Sequence, residues 1–361
     1  MREGNPSSMI VIGVDPHKTT HTASAVDPVT NTGLGSLRID ATPADYHRML
    51  AWAKQWTHRQ WAVENAEGLG HHLAQWLLAR GEVVLDVPAT ATARVRELSR
   101  GARRKNDRID AAGAACVAAA QGDARPVVAE DHVDALALLD ERRNNLSQNR
   151  TRTINQLHRL LRELLAGGVP TDLTAAKATA ALRPFRPRST PERVRVQLCR
   201  DLIADVRRID QQLADNQAEA TQLLDEHGTR LREIVGVGPV LAARILGRTG
   251  HVSRFATAAA YATYNGTAPV EVASAERQCH RLNRYGDRQL NSAIHTIAVV
   301  QVRMRDSDGR RYYDRKITDG KTPRAALRCL KRHLSNQLWR TMIADEQRNQ
   351  DKCHDQSTKA S

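Results

Sequence analysis

At 361 residues the chain exceeds the size of most single cores and suits two or three domains of the usual ~100–200 residues. Its 54 lysines and arginines outnumber its 40 aspartates and glutamates, leaving a net charge of +14 and a pI near 10.0, so a polyanion is the expected partner. Several classes are set aside: no stretch approaches the ~20 apolar residues of a membrane span, MREGNPSS lacks the parts of a secretory signal, and Cys116, Cys199, Cys279, Cys329 and Cys353 are odd in number and too scattered for zinc pairs, which fits a reducing cytoplasm.

The first stretch, 1–125, alternates between strand and helix patterns. MIVIGVD is a short apolar run ending on Asp15, and THTASAVD and GSLRID follow it across the turn signals Asp27-Pro28 and Gly33. Thr42-Pro43 opens a helix through Trp56, QWAVEN reads as a buried strand, Gly68 to Ala79 is amphipathic, EVVLDVP is a further core strand, and Asp107 to Ala120 is an alanine-rich helix. Three meander strands followed by alternating helices and strands predict an α/β domain with a ribonuclease H-like sheet. A dinucleotide-binding fold needs a glycine-rich turn and a helix straight after the first strand, and DPHKTTHT supplies neither.

From 126 to 228 the periodicity is helical. Val206, Ile209, Leu213, Asn216, Ala220 and Leu223 alternate steps of three and four, the spacing of a coiled coil with a polar residue at one seam position. The other arm, Leu146, Thr153, Leu157, Leu160 and Leu164, is interrupted by Arg143 and Arg150, and the breakers Gly167 to Pro170 and Arg183 to Pro187 lie between the arms. Two outcomes stay open: a projecting hairpin that pairs with another copy, with Asn216 at the seam, or a hairpin packed back on its own domain. A compact helical domain is expected over 229–345, and 346–361 is polar enough for a disordered tail.

Asp15 and Glu64 each close a strand, and Asp107 and Asp110 stand at i and i+3 on the opening of the alanine-rich helix. Brought together, four carboxylates repel unless protons or divalent cations neutralise them, and Mg2+ suits hard oxygen ligands facing a phosphate. A single aspartate after a strand is most often a turn or cap residue. The neighbouring cations Arg100, Arg103, Arg104 and Lys105 are what sets this group apart, because a basic loop beside a metal site is what a cleavable polyanion requires. In LREIVGVGPVLAARIL, Gly236 and Gly238 have the pattern of a helix-hairpin-helix whose amides approach a phosphate, although a plain tight turn into Pro239 has the same sequence; Arg232, Arg244 and Arg248 favour the nucleic-acid reading. Beyond them, Ser274 sits in a loop near Arg277, Arg281, Arg284 and Arg288, cations that could support attack of a hydroxyl on a phosphate. The last helix carries Arg324, Arg328, Lys331 and Arg332 beside an apolar stripe, a pattern shared by phosphate-binding and merely solvated faces.

On VIGVDPHK, AVENAEG, RRKNDRIDA, IVGVGPVLAARIL, YNGTAPVEVASA and RYGDRQLN, in this order and over nearly the whole chain, the sequence resembles the DEDD transposases of bacterial insertion sequences. The resemblance implies a Holliday-resolvase-like (RuvC-like) N-terminal domain, a coiled-coil linker used in dimerisation and a C-terminal transposase domain, in a cytoplasmic, nucleoid-associated enzyme. It places metal ligands at Asp15, Glu64, Asp107 and Asp110 and a covalent nucleophile at Ser274. It further implies donor and target DNA chosen by pairing to a guide (bridge) RNA, a homodimer gathering as a tetramer in a synaptic complex, and strand exchange through a phosphoserine link. One departure is Ser274-Ala275, where the family commonly has Ser-Gly. The rival readings are a metal-dependent junction resolvase that needs no serine and a non-catalytic nucleic-acid-binding protein.

Overall fold

The computed structural model describes residues 9–98, 107–120, 124–274, 277–282 and 285–359, of which 95–98, 120, 270–274, 277–282 and 352–359 are described by their backbone alone. These residues form two compact units, Met1–Glu130 and Asp131–Ser361, taken here in turn. No helix among the described residues is long and apolar enough to cross a membrane.

The first unit runs β1 (Ile10–Pro16), β2 (Thr20–Asp27), β3 (Thr32–Asp40), α1 (Pro43–Ala53), β4 (Arg59–Glu64), α2 (His71–Leu78), β5 (Val84–Val87), α3 (Ala89–Leu98), α4 (Asp107–Ala120) and β6 (Arg125–Pro126). The sheet order is β3-β2-β1-β4-β5-β6. β1, β2 and β3 pair antiparallel, β4 and β5 add parallel strands on the other side of β1, and the two-residue β6 closes the edge antiparallel. This is the ribonuclease H-like mixed sheet that the element order predicts. β1 is buried along its whole length because it lies at the centre of the sheet with both faces covered, which is why it reads as an unbroken apolar run. Thr42 caps α1 by accepting from the Asp45 amide, and the helix ends at Ala53, short of the expected Trp56, whose ring turns back edge-on to Trp52. Helix α3 and strand β6 were not anticipated: α3 lacks an apolar stripe, and β6 is too short to leave a pattern.

The two sheet faces differ in the size of what covers them. Ile10, Ile12, Val14, Trp61 and Val63 pack under α1 and α2 with Tyr46, Met49, Leu73 and Leu77. On the opposite face Val11, Val26 and Ala62 meet Ala114, Ala115 and Val117 of α4. Small side chains let α4 lie very close to the sheet, and Gly13 shows how close: a Cβ there would stand 1.8 Å from the Ala111 carbonyl oxygen.

The second unit contains α5 (His132–Leu164), α6 (Ala175–Leu182), α7 (Thr190–His227), α8 (Pro239–Thr249), α9 (Ala258–Tyr264), β7 (Pro269–Ser274), β8 (Arg277–Leu282), α10 (Arg288–Arg303), α11 (Asp308–Thr318) and α12 (Pro323–Lys359). α5 and α7 form a long antiparallel hairpin. The three-four seam of α7 faces α5 of the same chain, with Val206, Ile209, Asn216, Ala220 and Leu224 buried, Leu224 taking the place expected for Leu223. The Asn216 amide donates to the Leu139 carbonyl, so this polar seam residue is satisfied within the chain. The arginines that spoil the α5 stripe cross to α7 as well: Arg143 donates to the Leu213 carbonyl and Arg150 pairs with Asp210. The boundary expected at 228/229 falls inside a shared core, in which Leu136, Ala220 and Leu224 pack with Ile245, Ile294 and Leu334.

The C-terminal part is largely helical, as expected, with β7 and β8 added as an antiparallel hairpin. One expectation is corrected: no tail begins at 346, since α12 continues to Lys359 and Glu346 accepts from the amides of Val252 and Ser253. Next to it Asp345, 1% exposed, accepts from Thr229 Oγ1, the Arg230 amide, Arg230 Nε and Arg348 Nη2 at 2.9–3.0 Å. Losing this carboxylate leaves the buried Thr229 hydroxyl and the Arg230 amide without their acceptor and breaks both arginine pairs. Asp345→Ala is therefore expected to lower stability by about 3–5 kcal/mol, read as a fall in the urea midpoint at unchanged slope; a midpoint equal to that of the unaltered chain would show the network to be idle.

Candidate active site

Strand parity places the acids. Val14 and Val63 are register partners on parallel β1 and β4 and point into the α1/α2 core. Asp15 and Glu64, one residue further along each strand, therefore lie on the α4 face at the same end of the sheet. α4 crosses that face antiparallel to β1: its later residues Ala115 and Val117 share a core with Val11, and Ala111 sits over Gly13. Its first turn, with Asp107 and Asp110, consequently comes over the strand ends. Ser24 Oγ donates to the Arg108 carbonyl at 3.2 Å and fixes that turn to β2. Asp15 and Asp110 are buried, and Glu64 and Asp107 are half-buried.

One oxygen each of Asp15 and Asp107 and a nitrogen of His17 lie within 4.8 Å of one another. The imidazole stands between the carboxylates, with Nδ1 at 3.6 Å from Asp15 and Nε2 at 3.8 Å from Asp107, and Arg38 Nη1 approaches Asp107 at 3.4 Å. Glu64 and Asp110 belong to the same sheet end but not to this tight trio. The donor set fits a hard divalent cation: ligands at ~2.1 Å from one ion spread to about 4.2 Å, so only a slight closing is needed. The two carboxylates suit Mg2+ or Mn2+, whereas the imidazole is a donor better matched to softer transition metals. Sequence reasoning did not single out His17. Its signal is positional, since it follows the strand-ending Asp15 by two residues in a tight turn in which its amide donates to the Thr20 carbonyl.

The glycine pair has a structural explanation. The element before it is a single 3-10 turn, Leu231–Glu233, so the expected helix-hairpin-helix is reduced here to a tight turn into α8 with Pro239 in its first turn. Gly236 has φ +88°, and a Cβ there would press on Val300 of α10 at 3.3 Å. Gly238 heads α8 with open space around it.

A DEDD-type family model described as "Transposase" matches residues 12–165, and a second, described as the IS116/IS110/IS902 transposase family, matches residues 228–314. The chain belongs to this transposase family. It is 27% identical to the uncharacterized 44.8 kDa protein of insertion element IS116 from Streptomyces clavuligerus, over 93% of this chain and 95% of that one. It is 29% identical to the uncharacterized 42 kDa protein of insertion element IS900 from Mycobacterium paratuberculosis, over 79% and 82%. The Streptomyces coelicolor mini-circle putative transposase for IS117 is 28% identical over 75% and 79%. Among solved structures, T. thermophilus RuvC in complex with a Holliday junction substrate aligns with 33% of this chain and 99% of its own length, at 17% identity and a TM-score of 0.26.

In this transposase Ser274 ends β7, in register with Arg277 at the start of β8, so the expected loop serine stands at a hairpin tip. The β8 register also carries Arg281, opposite Val270. Arg100, Arg103, Arg104, Lys105, Arg284 and the Ala275 of the Ser274-Ala275 pair lie outside the described residues. The arginines near the glycine turn meet carboxylates of the same chain. Arg244 binds the buried Asp140 at 2.8 Å, Arg248 reaches both Asp140 and Asp287, and Arg232 pairs with Asp225. These pairs hold α5, α7, α8 and the start of α10 together, which a sequence cannot show because Arg248 and Asp140 lie 108 residues apart.

Proposed function

We propose that this transposase cuts and rejoins DNA with a serine nucleophile, the carboxylates of Asp15, Glu64, Asp107 and Asp110 holding Mg2+ beside the scissile phosphate. The observation that carries the proposal is the convergence of Asp15 and Asp107, 92 positions apart in the sequence, on one side of His17 each within 4.8 Å. A bound divalent cation would supply charge neutralisation on the phosphate as its negative charge builds up. The Ser274 Oγ–phosphorus bond forms as the bond to one bridging oxygen breaks, and the serine proton ends on the departing hydroxyl. In the second step a DNA hydroxyl attacks the phosphoserine and returns the proton to Ser274. Donor and target DNA, a guide RNA, and a homodimer assembling to a tetramer complete the proposal; the net charge of +14 and the family resemblance support them.

Ser274→Ala is the deciding variant. Expected is loss of the covalent protein–DNA adduct on denaturing gels together with loss of strand transfer. Cleavage that survives the change would instead mean hydrolysis by water, as in a junction resolvase. RNA guidance is tested separately, by sequencing RNA that co-purifies with the chain expressed together with its flanking DNA.

A further inference from the structure

We propose that a cationic cavity between the Gly266–Pro269 segment and α12 is a seat for one backbone phosphate of the nucleic acid handled by this transposase. The inference rests on the proposed function for the identity of the ligand, not for the existence of the site. The cavity measures about 410 Å3, and its walls include Lys321, Arg328, Lys331, Arg332, Tyr312 and Asn336. That is room for a phosphate and its sugar.

The four cations differ from the arginines that tie the helices of this unit together. Arg244, Arg248, Arg230 and Arg150 each meet a carboxylate, whereas among the described residues none of Lys321, Arg328, Lys331 and Arg332 forms an ion pair. Lys331 is 9% exposed, and its ammonium donates to Asn291 Oδ1 at 2.6 Å, leaving two of its three hydrogens for other acceptors. Arg332 Nη1 and Asn336 Oδ1 are buried without any hydrogen-bond partner. Burial pushes the ordinary pKa of both Lys331 and Arg332 down, the signature of cations that lack a counter-charge. Buried unpaired donors and uncompensated charge are unfavourable in isolation, and an acceptor-only anion such as a phosphodiester relieves both at once. A phosphodiester oxygen accepts from Lys331 and Arg332, and Arg328 and Lys321 line the exposed mouth. Asn336 Oδ1, an acceptor, is left to take a hydrogen from a sugar hydroxyl or from water at the same phosphate.

Placement ties this seat to the chemistry. The cavity wall at Pro269 is the first residue of β7, which ends on Ser274. Five strand steps at ~3.3 Å span about 17 Å, the rise of about five nucleotides at 3.4 Å each. A strand seated here is held about five nucleotides from the phosphate that Ser274 would attack.

The test measures binding of the full chain to a labelled DNA duplex and to an RNA duplex of the same sequence, across a salt series. Arg328→Gln alters an exposed side chain and leaves the core alone; Lys331→Met replaces a buried ammonium by an apolar chain of similar length, and because it also removes the donor to Asn291 its binding is read at a temperature where its melting curve shows it fully folded. Each variant is expected to bind on the order of tenfold more weakly, with a salt slope shallower by about one. Weakening confined to one probe assigns the phosphate to DNA or to RNA. Wild-type affinity and slope for both variants on both probes would overturn the seat, even where cleavage still requires Asp15. Conversely, weakened binding by Arg328→Gln in a chain whose cleavage ignores Asp15 would keep the seat and remove the catalytic scheme.

Discussion

Asp15→Asn and Asp107→Asn are each expected to slow metal-dependent strand transfer by about a thousandfold or more, while DNA binding stays within a few-fold of the parent. The size follows from what a bound cation contributes to phosphoryl chemistry, several kcal/mol; about 4 kcal/mol corresponds to three decades of rate. Binding survives because the contacts to the polyanion are made by cations elsewhere on the chain. Asp15 is the more sensitive position, being buried at the strand end, whereas Asp107 is half-buried and shares Arg38. Mn2+ titration followed by electron paramagnetic resonance gives a readout independent of catalysis: the bound signal should vanish in Asp15→Asn and weaken in His17→Ala. A chelator should stop the parent enzyme, and excess Mg2+ should restore it. Strand transfer by Asp15→Asn within tenfold of the parent rate would remove the carboxylate site from the mechanism.

How far the sequence alone could reach depended on the range of the interaction concerned. The sheet was legible because its order is written in local signals: an unbroken apolar β1, the Asp27-Pro28 turn, the Thr42-Pro43 cap and the alanine run of α4 all act within a few residues. Asp15 and Asp107 were legible too, since each closes or opens an element and strand parity then fixes the face. His17 was missed because its importance lies in spanning two carboxylates from different elements, a relation that spacing does not encode. The α7 seam was ambiguous for the same reason. A three-four stripe records that a helix packs along another helix, and bonds such as Asn216 to Leu139 and Arg143 to Leu213 tell that the other helix is α5 of the same chain. Arg244 and Arg248 look on paper like any other cations near a glycine turn. Buried Asp140 makes them structural, and nothing near them in the sequence announces it.

Gly13 shows why fold and site are one problem in the first unit, and Gly13→Ala is expected to be among the most damaging single substitutions there. The new methyl would lie 1.8 Å from the Ala111 carbonyl oxygen, 2.7 Å from the Ala115 amide nitrogen and 2.9 Å from the Ala111 carbonyl carbon. All three are backbone atoms of α4, so no side chain can swing aside; the helix must lift from the sheet by more than an ångström, roughly the shortfall from ordinary van der Waals contact. Ordinary overpacking costs about 1–3 kcal/mol, and a clash with a rigid backbone belongs at or above the upper end. Lifting α4 also withdraws Asp107 and Asp110 from Asp15, so activity should fall by about a hundredfold or more even at temperatures where the variant is fully folded, as expected when a reacting group is misplaced by about 1 Å. Gly35→Ala is the matched control, because it lies in the same sheet but its methyl would meet only Trp52, at an ordinary 3.6 Å. Urea unfolding and strand transfer measured on both variants decide the matter. If Gly13→Ala proves as stable and as active as Gly35→Ala, α4 is not held against β1 as described, and the placement of its two aspartates over the strand ends has to be abandoned with it.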